Sequence, residues 1–351
     1  MKGFLKGSLV LLAVVAAMLA LPSPRAHAAD TEGFNILTSP LPIKLVTEPN
    51  KTVTAELKLK NQGTKPETIK VGLMKFGATG EIGQPNLFDL TAKDTYAKWV
   101  HFEPSQFVAQ PGVWITVKMT INVPKEASLG YYLAVTFGRA TQAGQKGTNV
   151  KGAAATLVLL EVKTLNEKRD LKLLDFSTDH KLYEYLPTTF RVRVKNDGNI
   201  YLAPAGNLFI ERGGKPVTTI VFNEAGGSVL PASNRQYKVQ WKSGFPLYVD
   251  RLVNGKPEYD KTGEAKQDLK WDFTKVNKFR FGHYNAKLLL VYFDGKNDIP
   301  LEATLGFWVV PWKILLVLLV IFGLVGFGIF TVLRSFFRKA RTGTSKLKRR
   351  G

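Results

Sequence analysis

The side chains reactive enough to do chemistry are few and scattered. Beyond the first thirty residues the histidines are His101, His180 and His283, with no H-x-x-H or H-E-x-x-H spacing to put two imidazoles on one metal. The 351 residues include no cysteine, which removes thiolate nucleophiles, disulfides and Cys-based metal sites together. Asp89, Asp94 and Glu103 fall in one connection and are the acids that could pair for acid–base work, although solvated loop acids are the commoner reading. There is no G-x-S-x-G elbow and no phosphate loop; Gly213-Gly214-Lys215 and Gly226-Gly227 read as turn glycines. Leu186-Pro187-Thr188-Thr189 lacks the final glycine of a wall-sorting signal and lies far from the C-terminus. What remains is aromatic: Trp99, Phe102, Phe107, Trp114, Tyr131 and Tyr132, the kind of set on which a sugar ring stacks. Phe102 and Phe107 read as core. Trp114 falls on the strand face opposite Val113, Ile115 and Val117 and should point outward, unless the connection from Phe76 to Lys98 covers it. It is the candidate ligand-face residue. The pattern predicts a binding protein with no catalytic set, no cofactor and no metal, rather than an enzyme.

The elements that position these residues are strands. Val53, Ala55, Leu57 and Leu59 alternate with Thr54, Glu56, Lys58 and Lys60, a period of two with one buried face. Ile69, Val71 and Leu73 repeat it, as do Val113 to Ile121 and Tyr131 to Phe137. Ala153 to Val162 is nearly all apolar, as in a central sandwich strand. Only Leu90 to Trp99 suggests a helical turn or two before the C-terminus, and Asp250 to Asp272 reads as a long polar surface loop. Thr54 to Gly63 and Thr189 to Gly198 share alternating apolar and charged residues running into K-N-x-G, 135 positions apart. The fold class is therefore all-β: two tandem immunoglobulin-like sandwiches, 29–165 and 166–310, joined at Asn166 to Asp170 and followed by one transmembrane α-helix.

Ile314 to Leu333 is twenty residues without a charge, enough helix for roughly 30 Å of hydrocarbon. The predicted span is 311–333. Trp308 and Trp312 precede it and Arg334, Arg338 and Lys339 follow it; these five are the predicted membrane-interface residues. The basic tail 334–351 has no acidic residue and reads as a topology determinant and anionic-lipid contact, with no nucleic-acid role. Residues 1–28, with Lys2 and Lys6, an apolar run from Leu9 to Leu21 and Ala26-His27-Ala28, read as a secretory signal peptide. Together these place the chain in the cell membrane as a single-pass protein, N-terminal domains outside and tail in the cytoplasm. Three of the 49 basic residues leave with the signal and nine lie from Lys313 onward, leaving 37 against 28 acidic outside. Such a surface is drawn to anionic partners, an anionic wall polymer or peptidoglycan among them, although the lysines are dispersed along strands and also suit a solvated face. An exported chain without cysteine fits a bacterial surface better than an oxidising extracellular space.

A family resemblance runs through these residues. Leu87-Phe88-Asp89, Trp99-Val100-His101-Phe102, Gln110-Pro111-Gly112-Val113-Trp114, Ile121-Asn122-Val123-Pro124 and Leu129 to Phe137 resemble the first domain of the WxL-interacting surface proteins of Gram-positive bacteria, and more closely their single-pass relatives. Val229-Leu230-Pro231, Arg235, Trp241, Phe281-Gly282-His283-Tyr284 and Phe307 to Trp312 resemble the second. The resemblance implies two immunoglobulin-like domains, a membrane helix and a basic tail. Wall binding would fall to the first domain and binding of another surface protein to the second. The function expected is a membrane-anchored binding or scaffold protein, tethering the membrane to wall polymer or to a surface protein. The alternative is an accessory factor that holds client strands at an exposed sheet edge during assembly or secretion.

Overall fold

Alternation in the sequence becomes alternation of burial in the computed structural model, which describes residues 34–140, 154–260 and 265–347, with side chains in the last helix as far as Arg334. The signal segment 1–28 and the tail beyond Leu347 lie outside the described residues. The first sandwich is built from β1 (Ile36–Ser39), β2 (Ile43–Thr47), β3 (Thr52–Asn61), β4 (Glu67–Ala78), β5 (Pro85–Phe88), β6 (Val100–Glu103), β7 (Gln106–Ala109), β8 (Trp114–Asn122), β9 (Leu129–Arg139) and β10 (Ala154–Val162). The second comprises β11 (Leu171–Thr178), β12 (Leu182–Tyr183), β13 (Thr188–Asn196), β14 (Ala205–Arg212), β15 (Lys215–Phe222), β16 (Asn234–Trp241), β17 (Leu247–Asp250), β18 (Leu252–Val253), β19 (Lys256–Pro257), β20 (Gln267–Lys270), β21 (Gly282–Phe293) and β22 (Asp298–Val309). One helix, α1 (Trp312–Leu347), follows. The chain is all-β with immunoglobulin-like sandwiches and a C-terminal apolar helix.

Each sandwich opens with a segment that serves both of its sheets. β1 pairs antiparallel with β3 in the order β1-β3-β8-β6; the chain then crosses Pro40 and Pro42, and β2 pairs parallel with β10 in the order β2-β10-β9-β4-β5. Proline has no N–H to give a ladder, so the switch falls where pairing must break anyway. The second sandwich repeats the plan: β11-β13-β16 faces β12-β22-β21-β14-β15, with β12 parallel to β22. Leu57, Leu59, Val117, Met119, Ile121 and Phe137 fill the first core, while Phe190, Trp241, Tyr284 and Phe307 stack and cross rings in the second.

The K-N-x-G repeat has a physical cause. Asn61 and Asn196 are both buried at the end of their strands. Asn61 Nδ2 donates to the carbonyls of Lys65 and Ala109 at 2.8 and 3.0 Å, and its Oδ1 accepts the Gly63 N–H at 2.8 Å. Asn196 makes the same three bonds to Ile200, Val229 and Gly198 at 2.8, 2.9 and 2.9 Å. Each amide saturates backbone groups that a tight turn would otherwise bury unpaired. At Gly198 a Cβ would lie 2.3 Å from the Lys168 carbonyl, which excludes any larger residue there.

The apolar run of β10 is buried on both faces. Thr156, Val158 and Leu160 face the first core, while Leu157 and Leu159, with Met74, Phe76 and Ala134, meet Tyr201 and Leu230 of the second sandwich. Polar contacts lock the rim: Arg193 forks onto Glu81 at 2.6 and 2.5 Å, Asn234 Nδ2 donates to Glu81 at 3.0 Å, and the Gln236 N–H donates to the Glu81 carbonyl at 2.6 Å. The Asn166 to Asp170 joint is itself held, with Asn199 bonded to the Asn166 carbonyl and the Lys168 N–H at 2.8 and 2.7 Å. The two sandwiches are thus packed against each other rather than strung on a flexible link.

The polar stretch from Asp250 to Asp272 is not the featureless loop expected. β17 pairs with β20 and β18 with β19, extending the sandwich as an inserted ladder that Arg251 braces by gripping Asp268. Leu247 of β17 packs against the second core, but β18, β19 and most of β20 are exposed, so no apolar alternation announces the insertion in the sequence. The expected helical turn near Leu90 to Trp99 is a 3₁₀ turn, Thr95–Trp99.

Candidate functional site

The aromatic set divides once the strands are assembled. Trp99 and Tyr131 cross rings with a centroid separation of 5.0 Å and Tyr96 joins them, while Phe102 and Phe107 lie against the first core. Tyr132 points the other way, to Tyr201 and Phe76 at the junction of the sandwiches. Trp114 alone of this set keeps an open face: it is 47% exposed on β8, and no connection among the described residues covers it. Its neighbour across the β3–β8 ladder is Lys60, whose ammonium lies 5.9 Å from the indole centroid, and Leu37 pairs with Lys60 on the far side. Lys58 and Lys118 stand on the same outer face by alternation. Leu37, Lys60 and Trp114 therefore form a row with apolar, cationic and aromatic character, suited to a polar ring that carries negative charge.

Of the acids considered for catalysis, Asp94 is engaged in structure. Asp94 accepts from the Thr91 hydroxyl and N–H, both at 2.7 Å, from Lys75 at 2.9 Å and from the Tyr96 hydroxyl at 3.2 Å. The Thr91 hydroxyl and then Lys75 hold its carboxyl far below the usual carboxylate range, and burial, with the Asp94 charge adding, pushes the Tyr96 phenol up to about 12. Among the described residues no three His, Asp or Glu side chains converge as a metal site would need. His101 lies on β6, His180 between β11 and β12, and His283 on β21 against Trp308, so the fold does not gather them. A depressed carboxyl stabilises the fold fully above its unfolded value near ~3.9 and loses that contribution as pH falls through the lower folded value. D94N is therefore expected to melt below the native protein at pH 7, with the gap closing towards pH 2; thermal scans across that range check it.

A concave feature lies between the sandwiches, a cleft of about 540 Å³. Phe76, Leu87, Leu157, Leu159 and Leu230 give it apolar walls and Arg235 a cation. Arg235 lies 4.9 Å over the Tyr237 ring and donates to the Ser228 carbonyl at 2.7 Å. A Cβ at Gly83 or Gly227 would sit 2.6 Å from its guanidinium and displace it, and the left-handed backbone of Gly83 (φ +75°) itself favours glycine. At the rim Lys44 donates to the Gly226 carbonyl at 2.8 Å; burial, and then the Arg235 charge, lowers its ammonium pKa. Glu81, Arg193 and Arg235 were not visible as a site in sequence. Arg193 stands at the position that Lys58 occupies in the other copy of the repeat, and that difference was the one available signal.

The residues expected at a membrane interface sit at the two ends of the apolar helix. Trp308 and Trp312 are half-exposed at the sandwich end, and Arg334 is exposed some 22 residues, or ~33 Å, along α1. Arg338 and Lys339 continue the same helix, and their side chains lie outside the described residues. The segment Trp312–Arg334 is long and apolar enough to cross a membrane and is not buried against the sandwiches.

The fold defines a class: an all-β protein of immunoglobulin-like sandwiches carrying an apolar C-terminal helix. No family model matches the chain, and no curated protein matches it. Among solved structures it is similar to the class 5 fimbriae chaperone CfaA, at 12% identity over 77% of this chain and 98% of that one, with a TM-score of 0.34. It is similar also to the CsuC–CsuE chaperone–tip adhesion subunit complex of Acinetobacter baumannii (11% identity, 76% and 97% covered, TM-score 0.34) and to the E. coli chaperone DraB (11%, 77% and 96%, 0.31). At these TM-scores the likeness carries no argument about function.

Proposed function

We propose that the protein is a membrane-anchored, single-pass surface tether of the WxL-interacting type, whose first sandwich binds an anionic wall polymer and whose second is the one to bind another surface protein. The observation that carries this reading is the combination of an anchor and a presented face. β22 ends at Val309 and α1 begins at Trp312, so the second sandwich sits directly on the helix, while the packed junction holds the Leu37–Lys60–Trp114 row on the other sandwich. The excess of basic residues outside the helix gives such a face long-range attraction to an anion. The test is binding of the full chain in nanodiscs to purified teichoic acid and peptidoglycan across a salt series. Salt-sensitive retention is expected; equal retention at low and high salt, or none, rejects the charge-driven tether. W114A is expected to weaken binding about ten-fold, ~1.4 kcal/mol, with melting little changed because the half-exposed indole lies outside the core cluster.

A specific observation favours a second reading, the assembly accessory. β2 pairs with β10 only from Ile43–Val158 onward, so Ala154 to Leu157 have β9 on one side and no ladder partner on the other among the described residues. Ala155 and Leu157 line the cleft, which makes this edge a place where an extended client segment would add as a strand. Capture of a secreted partner with no wall retention selects this reading over the tether.

A further inference from the structure

We propose that the segment from Trp271 to Phe281 is a second lipid contact, docking its aromatic side chains into the headgroup layer of the bilayer that holds α1. The inference rests on reading α1 as a membrane span. The geometry puts the segment at the end of the sandwich from which the helix leaves. β21 opens at Gly282, opposite Val309, the last residue of β22, so Phe281 and the start of α1 emerge side by side. From one side, the Phe245 N–H donates to the Lys278 carbonyl at 3.0 Å and Arg280 Nε to the Ser243 carbonyl at 2.9 Å. From the other, Glu184 pairs with Lys313 at 2.8 Å while the adjacent Tyr185 meets the Trp271 ring at 6.5 Å. The turn is thus fastened to the helix exit by neighbouring residues.

Its composition fits an interface and nothing among the described residues covers it. Phe273 is 72% exposed, stacked on Trp271 at 6.2 Å, and Val276 is 51% exposed. The 3₁₀ turn Phe273–Lys278 buries none of its residues. Lys270, Lys275, Lys278 and Arg280 oppose a single acid, Asp272, which is tied to Lys275 and caps Thr274. Aromatic rings interleaved with basic residues prefer the depth between water and hydrocarbon, and the basic set matches anionic lipid. The helix already holds the turn beside the bilayer, so the contact forms without a separate search. With a rigid junction above it, a two-point attachment fixes the tilt of both sandwiches and hence the direction in which Trp114 faces.

The absence of cysteine makes the test direct. Single-cysteine variants F273C and V276C, with F322C in mid-helix and T116C on the outer face of β8, carry an environment-sensitive fluorophore in the full chain, reconstituted in vesicles with one-third anionic lipid. The expected result is that labels at 273 and 276 are quenched by nitroxides near the headgroup and several-fold less by aqueous iodide than the label at 116. Quenching of the 322 label by deep nitroxides, with 273 and 276 behaving like 116, overturns the docking and leaves the membrane span standing. Shielding of 273 and 276 from iodide without lipid quenching also overturns it, since protein would then cover them. An unquenched 322 label rejects the span itself.

Discussion

Replacing Arg169 with alanine is expected to destabilise the protein by about 3–5 kcal/mol, the cost of stranding a buried carboxylate. Glu161 is almost fully buried at the end of β10, and the Arg169 guanidinium reaches it at 2.6 Å and Glu167 at 3.1 Å. Glu167 in turn accepts the Thr164 N–H at 3.0 Å, so the three side chains tie the last strand of the first sandwich to the joint and to the start of β11. Removing the cation leaves Glu161 to be neutralised or to pull water into the junction. The control is the double variant R169A/E161L, which removes both charges and is expected to recover most of the loss, because an apolar residue tolerates that site better than an unpaired ion. Denaturant unfolding of the full chain in nanodiscs gives the three values. A cost below about 1 kcal/mol for R169A, as for a solvated surface pair, would show that the junction does not rest on this group.

The second large effect is expected at the repeated asparagine. N196A removes an amide that serves two carbonyls and one N–H at 2.8–2.9 Å inside the core, and should cost about 2–4 kcal/mol, lowering Tm by about 5–10 °C. N196D should be worse than N196A despite its matching size. The carboxylate keeps the bond from the Gly198 N–H but faces the Ile200 and Val229 carbonyls with no proton to give. N61A and N61D should follow the same order in the first sandwich, since Asn61 makes the equivalent set. An aspartate variant as stable as the native protein would falsify the donor argument. The contrast separates two roles: Arg169 acts where the sandwiches join, whereas each asparagine acts within one.

Much of the fold was legible because its signals are short-range. A period of two marked the inward faces of β3, β8 and β9, and Leu57, Leu59, Val117 and Val135 are indeed buried. The K-N-x-G repeat marked two equivalent strands before any contact was known. The candidate site was legible only at Trp114, whose outward direction follows from alternation along one strand. The inserted β17–β20 ladder was missed because, beyond Leu247 and its half-buried neighbours, its strands are mostly exposed and imprint no alternation. The cleft was missed for a different reason: Leu157 belongs to one sandwich and Arg235 to the other, and each looks ordinary alone.

The sequence by itself therefore determined everything encoded by neighbours along the chain: strand faces, the asparagine turns and a helix of membrane length. Only the tertiary structure decided what the outer face of β10 packs against. The same apolar run suits a strand covered by its own sandwich or one covered by a second, and the choice depends on the shapes of surfaces brought together from distant segments. Glu81 and Arg193 are separated by 112 residues, and their pairing at 2.5 Å follows from sandwich packing that no local periodicity records.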